Sequence, residues 1–217
     1  MTKPHIFAHT SYIGNTGYNA HSRSFFRHLS KLNEVKIRNF TVGNKFANSS
    51  NEPHNQESYL DDLDKKLLDS QTLWDGNNRE DHSNYPNKFL HNVNIVLQET
   101  NHYYFYDGYL GPKIGYNVWE STKQPEDFFN KWNEFDQLWV PTKWQANNTI
   151  KQGANPNKVK VIPEGVDVNT FYPDDNVQHK DYDGRFKFIL FGRWEYRKST
   201  TEIIETFLST FKKSDPV

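Results

Sequence analysis

Ile6-Phe7-Ala8, then Gly14-Asn-Thr-Gly17, then Phe25, Phe26, Leu29 and Leu32 at helical spacing read as strand, glycine-rich turn and helix. Val35-Lys-Ile-Arg-Asn-Phe40 alternates apolar and polar residues and predicts a second strand. A β-α-β opening of this kind belongs to a parallel sheet. The pattern then recurs. Val93-Asn-Ile-Val-Leu97, Lys113-Ile-Gly-Tyr-Asn-Val118, Leu138-Trp-Val140 and Val159-Lys-Val-Ile162 predict further strands. Helices over 125–134 and 142–152 lie among them, with Pro125 starting the first and Gly153 ending the second.

From Thr41 to Pro86 the chain is rich in Asn, Ser, Gly and acids, which predicts an irregular, partly mobile insertion around one short helix, Tyr59-Leu60…Leu63…Leu67-Leu68. Residues 173–185, with Pro173 and Gly184, read as a linker. Phe186-Lys-Phe-Ile-Leu-Phe191 predicts a new buried strand, and a helix over 199–212 turns Ile203, Ile204, Phe207, Leu208 and Phe211 inward. The fold class is therefore α/β: a Rossmann-like doubly wound parallel sheet over 1–172, then 186–217 as a second Rossmann-like domain cut short after one β-α unit. One such unit cannot bury both faces of a sheet, so its open edge predicts self-association, a homodimer that pairs or exchanges the C-terminal β-α unit.

The 217 residues suit one full domain and part of another. No Cys is present, which excludes disulfides, thiolate nucleophiles and Cys-type zinc sites. A mean hydropathy of −0.93, no long apolar run and no apolar segment behind Met1-Thr-Lys-Pro-His predict a cytoplasmic protein without a transmembrane segment. The net charge of −1 argues against a nucleic-acid partner. Its distribution is uneven. Residues 1–46 carry seven basic side chains against Glu34, residues 52–81 nine acidic against three basic, and residues 185–217 seven basic against four acidic, so the two basic ends could share an anionic ligand.

Gly14-Asn-Thr-Gly17-Tyr-Asn-Ala20 departs from the dinucleotide fingerprint G-x-G-x-x-G, and Asn39 stands where a ribose-binding acid is expected, so a nicotinamide enzyme is disfavoured. A glycine loop opening a helix still offers free amides and a positive dipole end to a phosphate, which makes Gly14 and Gly17 candidate binding residues. A tight turn that needs glycine only for positive φ fits the same residues. Farther on, the strand Phe188-Ile-Leu-Phe191 delivers Gly192 and Arg193 at its carboxyl end, and Lys198 follows five residues later at a helix start. Arg and Lys beside a helix dipole suit a diphosphate leaving group. A solvated basic loop capped by Ser199 fits as well.

Gly192-Arg193-x-x-x-Arg197-Lys198, together with Val161-Ile-Pro-Glu-Gly-Val-Asp167-x-x-x-Phe171-x-Pro173, Gly115-Tyr-Asn-Val-Trp-Glu120 and Phe135-Asp-Gln-Leu-Trp-Val-Pro-Thr142, resembles glycosyltransferase family 4 and its relatives of the GT-B fold. The similarity is clear over 111–212 and weaker over 1–30. The resemblance implies a retaining, hexosyltransferase-type enzyme that moves a sugar from a nucleotide-sugar donor to a hydroxyl of a sugar or glycan acceptor. It implies no metal and no cofactor apart from the donor substrate. Arg193 and Lys198 would hold the donor diphosphate, with the Gly17 loop approaching the same phosphates. The family usually has Lys-Gly where this chain has Lys198-Ser199. Its Glu-x7-Glu segment has no counterpart before Val217, so the chain resembles the first half to two thirds of such an enzyme and is expected to be inactive alone. The alternative is a non-catalytic acceptor-binding module, or half of a split enzyme without its own donor site.

His102 in Glu99-Thr-Asn-His-Tyr-Tyr lies near a family histidine that contacts the donor sugar, and a hydrogen-bonded loop histidine is the competing reading. Glu120 follows a strand terminus, where its carboxylate could accept sugar hydroxyls or cap the next helix. Tyr103, Tyr104, Tyr106, Tyr109 and Trp119 supply core or sugar-stacking surface. Asp61-Asp-Leu-Asp64 reads as the solvated face of a helix, not a metal site.

Overall fold

The first strand, β1 (His5–Thr10), pairs in parallel with both β2 (Glu34–Phe40) and β4 (Val93–Leu97), so the sheet grows outward from it in two directions. This computed structural model describes residues 5–14, 16–40, 60–74, 93–100, 111–174, 184–192 and 194–217. Those residues hold a seven-stranded, all-parallel sheet. Its order is β3-β2-β1-β4-β5-β6-β7, where β3 is Leu68–Trp74, β5 Lys113–Tyr116, β6 Gln137–Val140 and β7 Val159–Val161. The chain fills one side of β1 and then crosses to the other, which places the topological switch between β1 and β4.

Strand alternation divides the core into two layers. Ile6, Ala8, Ile95 and Leu97 face α1 (Gly17–Leu29) and α2 (Asp62–Leu67), with Phe26, Leu67 and Tyr116 buried beside them. Phe7, Val96, Leu138 and Val140 face the opposite way, onto Phe129 and Trp132 of α3 (Glu126–Asn133) and Ala146 of α4 (Lys143–Lys151). Burying a side chain of this size contributes about 2–3 kcal/mol. Trp132 also places its indole N–H 3.0 Å from the Gly115 carbonyl, so no buried donor is wasted there.

The predicted fold class is thus the observed one, an α/β doubly wound sheet, with local corrections. Leu32 lies beyond the end of α1 and is 72% exposed. The short helix is confined to α2, Leu63 points outward, and β3 begins at once where no strand was predicted. Residues 41–59 and 75–92 of the insertion, and Tyr103, Tyr104, Tyr106 and Tyr109, lie outside the described residues.

The chain divides into two compact units, with the break after Gly165. In the second unit, Asp167 organises a turn: its carboxylate accepts the Asn169 amide at 2.9 Å and the Thr170 hydroxyl at 2.9 Å. These bonds, the Asn169 amide first, hold the Asp167 carboxyl below its usual range. Residues 185–191 run without a strand partner among the described residues, and Phe191 is 86% exposed. The predicted buried strand is corrected: its apolar pattern suits a sheet, but a strand exists only against a neighbour. Phe186 and Phe188 instead join Phe207 and Phe211 of the segment around α5 (Thr200–Thr210), with ring centroids 4.9–5.5 Å apart. Leu208 and Ile203, predicted inward, are exposed.

Candidate functional site

The carboxyl edge of a doubly wound sheet is where its loops converge, and here the loop after β1 is held from every side. Asn39, at the end of β2, accepts the Tyr12 amide at 2.8 Å and the Ile13 amide at 2.9 Å on one oxygen. Arg23 of α1 donates to the Tyr12 carbonyl at 2.7 Å and the Gly14 carbonyl at 2.8 Å. Thr16 and Asn19 form a capping box at the start of α1, and Asn19 also donates to the Ile13 carbonyl. Gly14 has φ +134, and a Cβ there would fall 2.7 Å from Asn19 Oδ1. The turn demands that glycine. Gly17, by contrast, is the first residue of α1, and a Cβ on it would meet nothing within 4 Å.

Behind the loop lies a network that the sequence pattern conceals. Asp64 is fully buried, not solvated as predicted. It accepts the Tyr12 hydroxyl at 2.6 Å, the Arg27 Nε at 2.7 Å and a second bond from Arg27 Nη2. Burial pushes its carboxyl upward, but Arg27 and Tyr12 outweigh that and hold it below the ordinary value. The Tyr12 phenol is pushed above its usual range by burial and then by Asp64.

Tyr18, in the first turn of α1, sends its hydroxyl 3.1 Å to the Val118 carbonyl. Burial raises its phenol, and the charges of Glu99, Glu164 and Glu120 add to the shift. These carboxylates belong to the loops that follow β4, β5 and β7. Glu120 is exposed and does not cap α3, whose N-cap position is Pro125. His21, one turn further along α1, places Nδ1 2.9 Å from Glu164 Oε1. Burial lowers its pKa while Glu164 works to raise it. Neither Tyr18 nor His21 stood out in the sequence, because their carboxylate neighbours come from distant strand ends.

The loop carrying Glu120 is pinned to α4 by two glutamines. Gln145 donates to the Asn117 carbonyl at 2.9 Å and accepts the Trp119 amide at 3.1 Å. Gln152, just past the helix, does the same with the carbonyl and amide of Gln124, both at 2.9 Å. Thr100, beyond β4, donates to the Gln124 side chain at 3.0 Å. Trp119 is half-buried, its indole N–H 3.1 Å from the Lys123 carbonyl.

In the second unit Gly192 has φ +150, and the Lys198 side-chain stem lies 3.7 Å from where its Cβ would stand. Lys198 is exposed and ends a 3₁₀ turn, Tyr196–Lys198, directly ahead of α5. Ser199 has left-handed backbone, φ 49, and makes no side-chain cap, contrary to the solvated-cap reading. Arg193 and His102 lie outside the described residues. Among the described residues no group of three His, Cys, Asp or Glu could hold a metal ion, and no helix is long and apolar enough to cross a membrane.

These features define an α/β protein with a Rossmann-like parallel sheet and a loop-lined carboxyl edge. No family model and no curated protein matches the chain. Among solved structures it is similar to HepE of Anabaena in complex with UDP and glucose, at a TM-score of 0.47 and 12% identity, over 79% of this chain and 47% of that one. A second HepE structure, with UDP, aligns at a TM-score of 0.38 and 12% identity over 76% and 45% of the two chains. The chain spans about half the length of HepE.

Proposed function

We propose that the chain is the acceptor-side domain and the beginning of the donor domain of a glycosyltransferase, which moves a sugar from a nucleotide-sugar donor to an acceptor hydroxyl with retention. The observation that carries this reading is the Gly192–Lys198 turn, where a positive-φ glycine lies against a lysine stem ahead of a helix, within the motif that resembles family 4. Lys198 and Arg193 stabilise charge developing on the departing diphosphate. The carboxylates of Glu99, Glu120 and Glu164 suit acceptor hydroxyls, which donate to them, and disfavour a phosphate close to Tyr18. The Gly17 loop therefore serves phosphate binding only when basic side chains offset those charges. Calorimetric titration with uridine, guanosine and adenosine diphosphates tests the donor site: micromolar binding of one supports it, and none binding refutes it for this chain.

A second reading, an acceptor-binding module without a working donor site, draws support from the exposed apolar segment 186–191, which leaves the second unit without a closed core. It predicts sugar binding with no response to any nucleotide.

A further inference from the structure

Trp144 is 49% exposed, and of the tryptophans described in the first unit it alone stands out in water. It lies in the first turn of α4, which opens just after β6 and so starts on the carboxyl edge of the sheet. Its chain neighbour Gln145 grips the Trp119 amide and the Asn117 carbonyl, so the exposed indole adjoins the loop that carries the exposed Glu120. One turn along α4, the amide nitrogen of Asn148 is buried without a hydrogen-bond partner. Helical residues four apart share a face with Cβ atoms about 5–6 Å apart, which sets Asn148 behind Trp144. Asn117 is wholly buried, and neither polar atom of its side chain is bonded. Unmet amides are costly to bury, so the seam between α4 and this loop keeps hydrogen-bonding capacity for a guest. We infer that Trp144 and Asn148 form a subsite for a neutral sugar ring of the acceptor, with Glu120 at its rim, an assignment that rests on reading the first unit as the acceptor side. The C–H face of the ring stacks on the indole, and its hydroxyls donate to the carboxylate. No internal bond fixes the Asn148 amide, so it can turn either its oxygen or its nitrogen to a hydroxyl. A phosphorylated ring meets the charge of Glu120, and a flat aromatic guest leaves the amides unmet.

The test follows the Trp144 indole and Asn148 side-chain amide signals of the isotope-labelled full chain by NMR, while cellobiose, maltose and lactose are each added to millimolar concentration. At least one disaccharide should shift both signals along a single saturating curve. Trp144→Ala should weaken that binding about tenfold, and Asn148→Ala about threefold. Trp144→Phe keeps an aromatic face and should lose less than the alanine variant. Trp144 is exposed, so its variants keep the fold, which unshifted signals elsewhere in the sheet verify. Disaccharide binding at this pair without any nucleoside diphosphate binding upholds the subsite and counts against the transferase reading alone. Signals that stay still with all three disaccharides, shifts that do not saturate, or an affinity indifferent to Trp144→Ala overturn the subsite, even where a nucleoside diphosphate binds.

Discussion

The Tyr12 hydroxyl lies 2.6 Å from the Asp64 carboxylate, and both side chains are wholly buried. Arg27 neutralises the carboxylate and is itself half-buried, its pKa raised first by the bond to Asp64. The three groups fasten the β1–α1 loop, α1 and α2 to one another.

Replacing Asp64 by Ala leaves a phenol and a guanidinium without their acceptor, so Asp64→Ala should cost about 3 kcal/mol in urea denaturation. Because the native Asp64 carboxyl titrates below its unfolded value, its contribution is complete above about pH 4 and is lost as pH falls through the native value. Unfolding midpoints of the wild type and Asp64→Ala should therefore converge in acid. A gap that stays constant down to the lowest accessible pH contradicts the assignment.

Asn39→Ala deprives the Tyr12 and Ile13 amides of their shared acceptor and should destabilise the fold by about 1–3 kcal/mol. Asn39→Asp keeps the acceptor and should fall short of that loss. Equal stability of the alanine variant and the wild type shows that water replaces the bond.

Gly14 and Gly17 should part company. Gly14→Ala combines positive φ with a clash against Asn19 and should cost about 1–3 kcal/mol. Gly17→Ala fills open space at the first position of a helix and should leave the melting temperature unchanged or raised. Any loss of nucleotide response in Gly17→Ala then reports on binding and not on folding.

Much of this arrangement was legible. Val93-Asn-Ile-Val-Leu97 is apolar because the sheet buries both its faces, and Pro125 and Gly153 mark helix ends, the first at the N-cap of α3 and the second by positive φ. β3 was not legible, since Leu68-Asp-Ser-Gln-Thr-Leu-Trp74 is an edge strand with little apolar alternation, recruited by the free side of β2. Asp64 sits in a run of acids and betrays nothing of Arg27 or Tyr12, which reach it from distant parts of the chain. Segment 186–191 shows the opposite case, a strand pattern that joins no sheet among the described residues.

Lys198→Ala removes an exposed side chain and should not change stability. Within the proposed function it should weaken nucleoside diphosphate binding about tenfold or more, a charged contact being worth about 1.5–3 kcal/mol. Unchanged binding removes Lys198 from the donor site.

Exposed Phe188, Ile189, Leu190 and Phe191 form an apolar run that water should not tolerate at high concentration. Light scattering over a dilution series should show association, reduced in an Ile189→Lys, Phe191→Lys double variant. A monomer throughout the series excludes the homodimer.

Gln145 and Gln152 stand in for a neighbouring strand, each offering a side-chain amide where a peptide group would otherwise pair. The stretch between their grips, Glu120 to Lys123, closes locally through the Ser121 hydroxyl and the Trp119 indole, both on the Lys123 carbonyl. It behaves as a cassette: its residues can be exchanged while the anchors at 117–119 and 124 keep β5 and α3 in register. Within the proposed function, a change of acceptor preference is expected to be written into this patch without touching the bonds that anchor it.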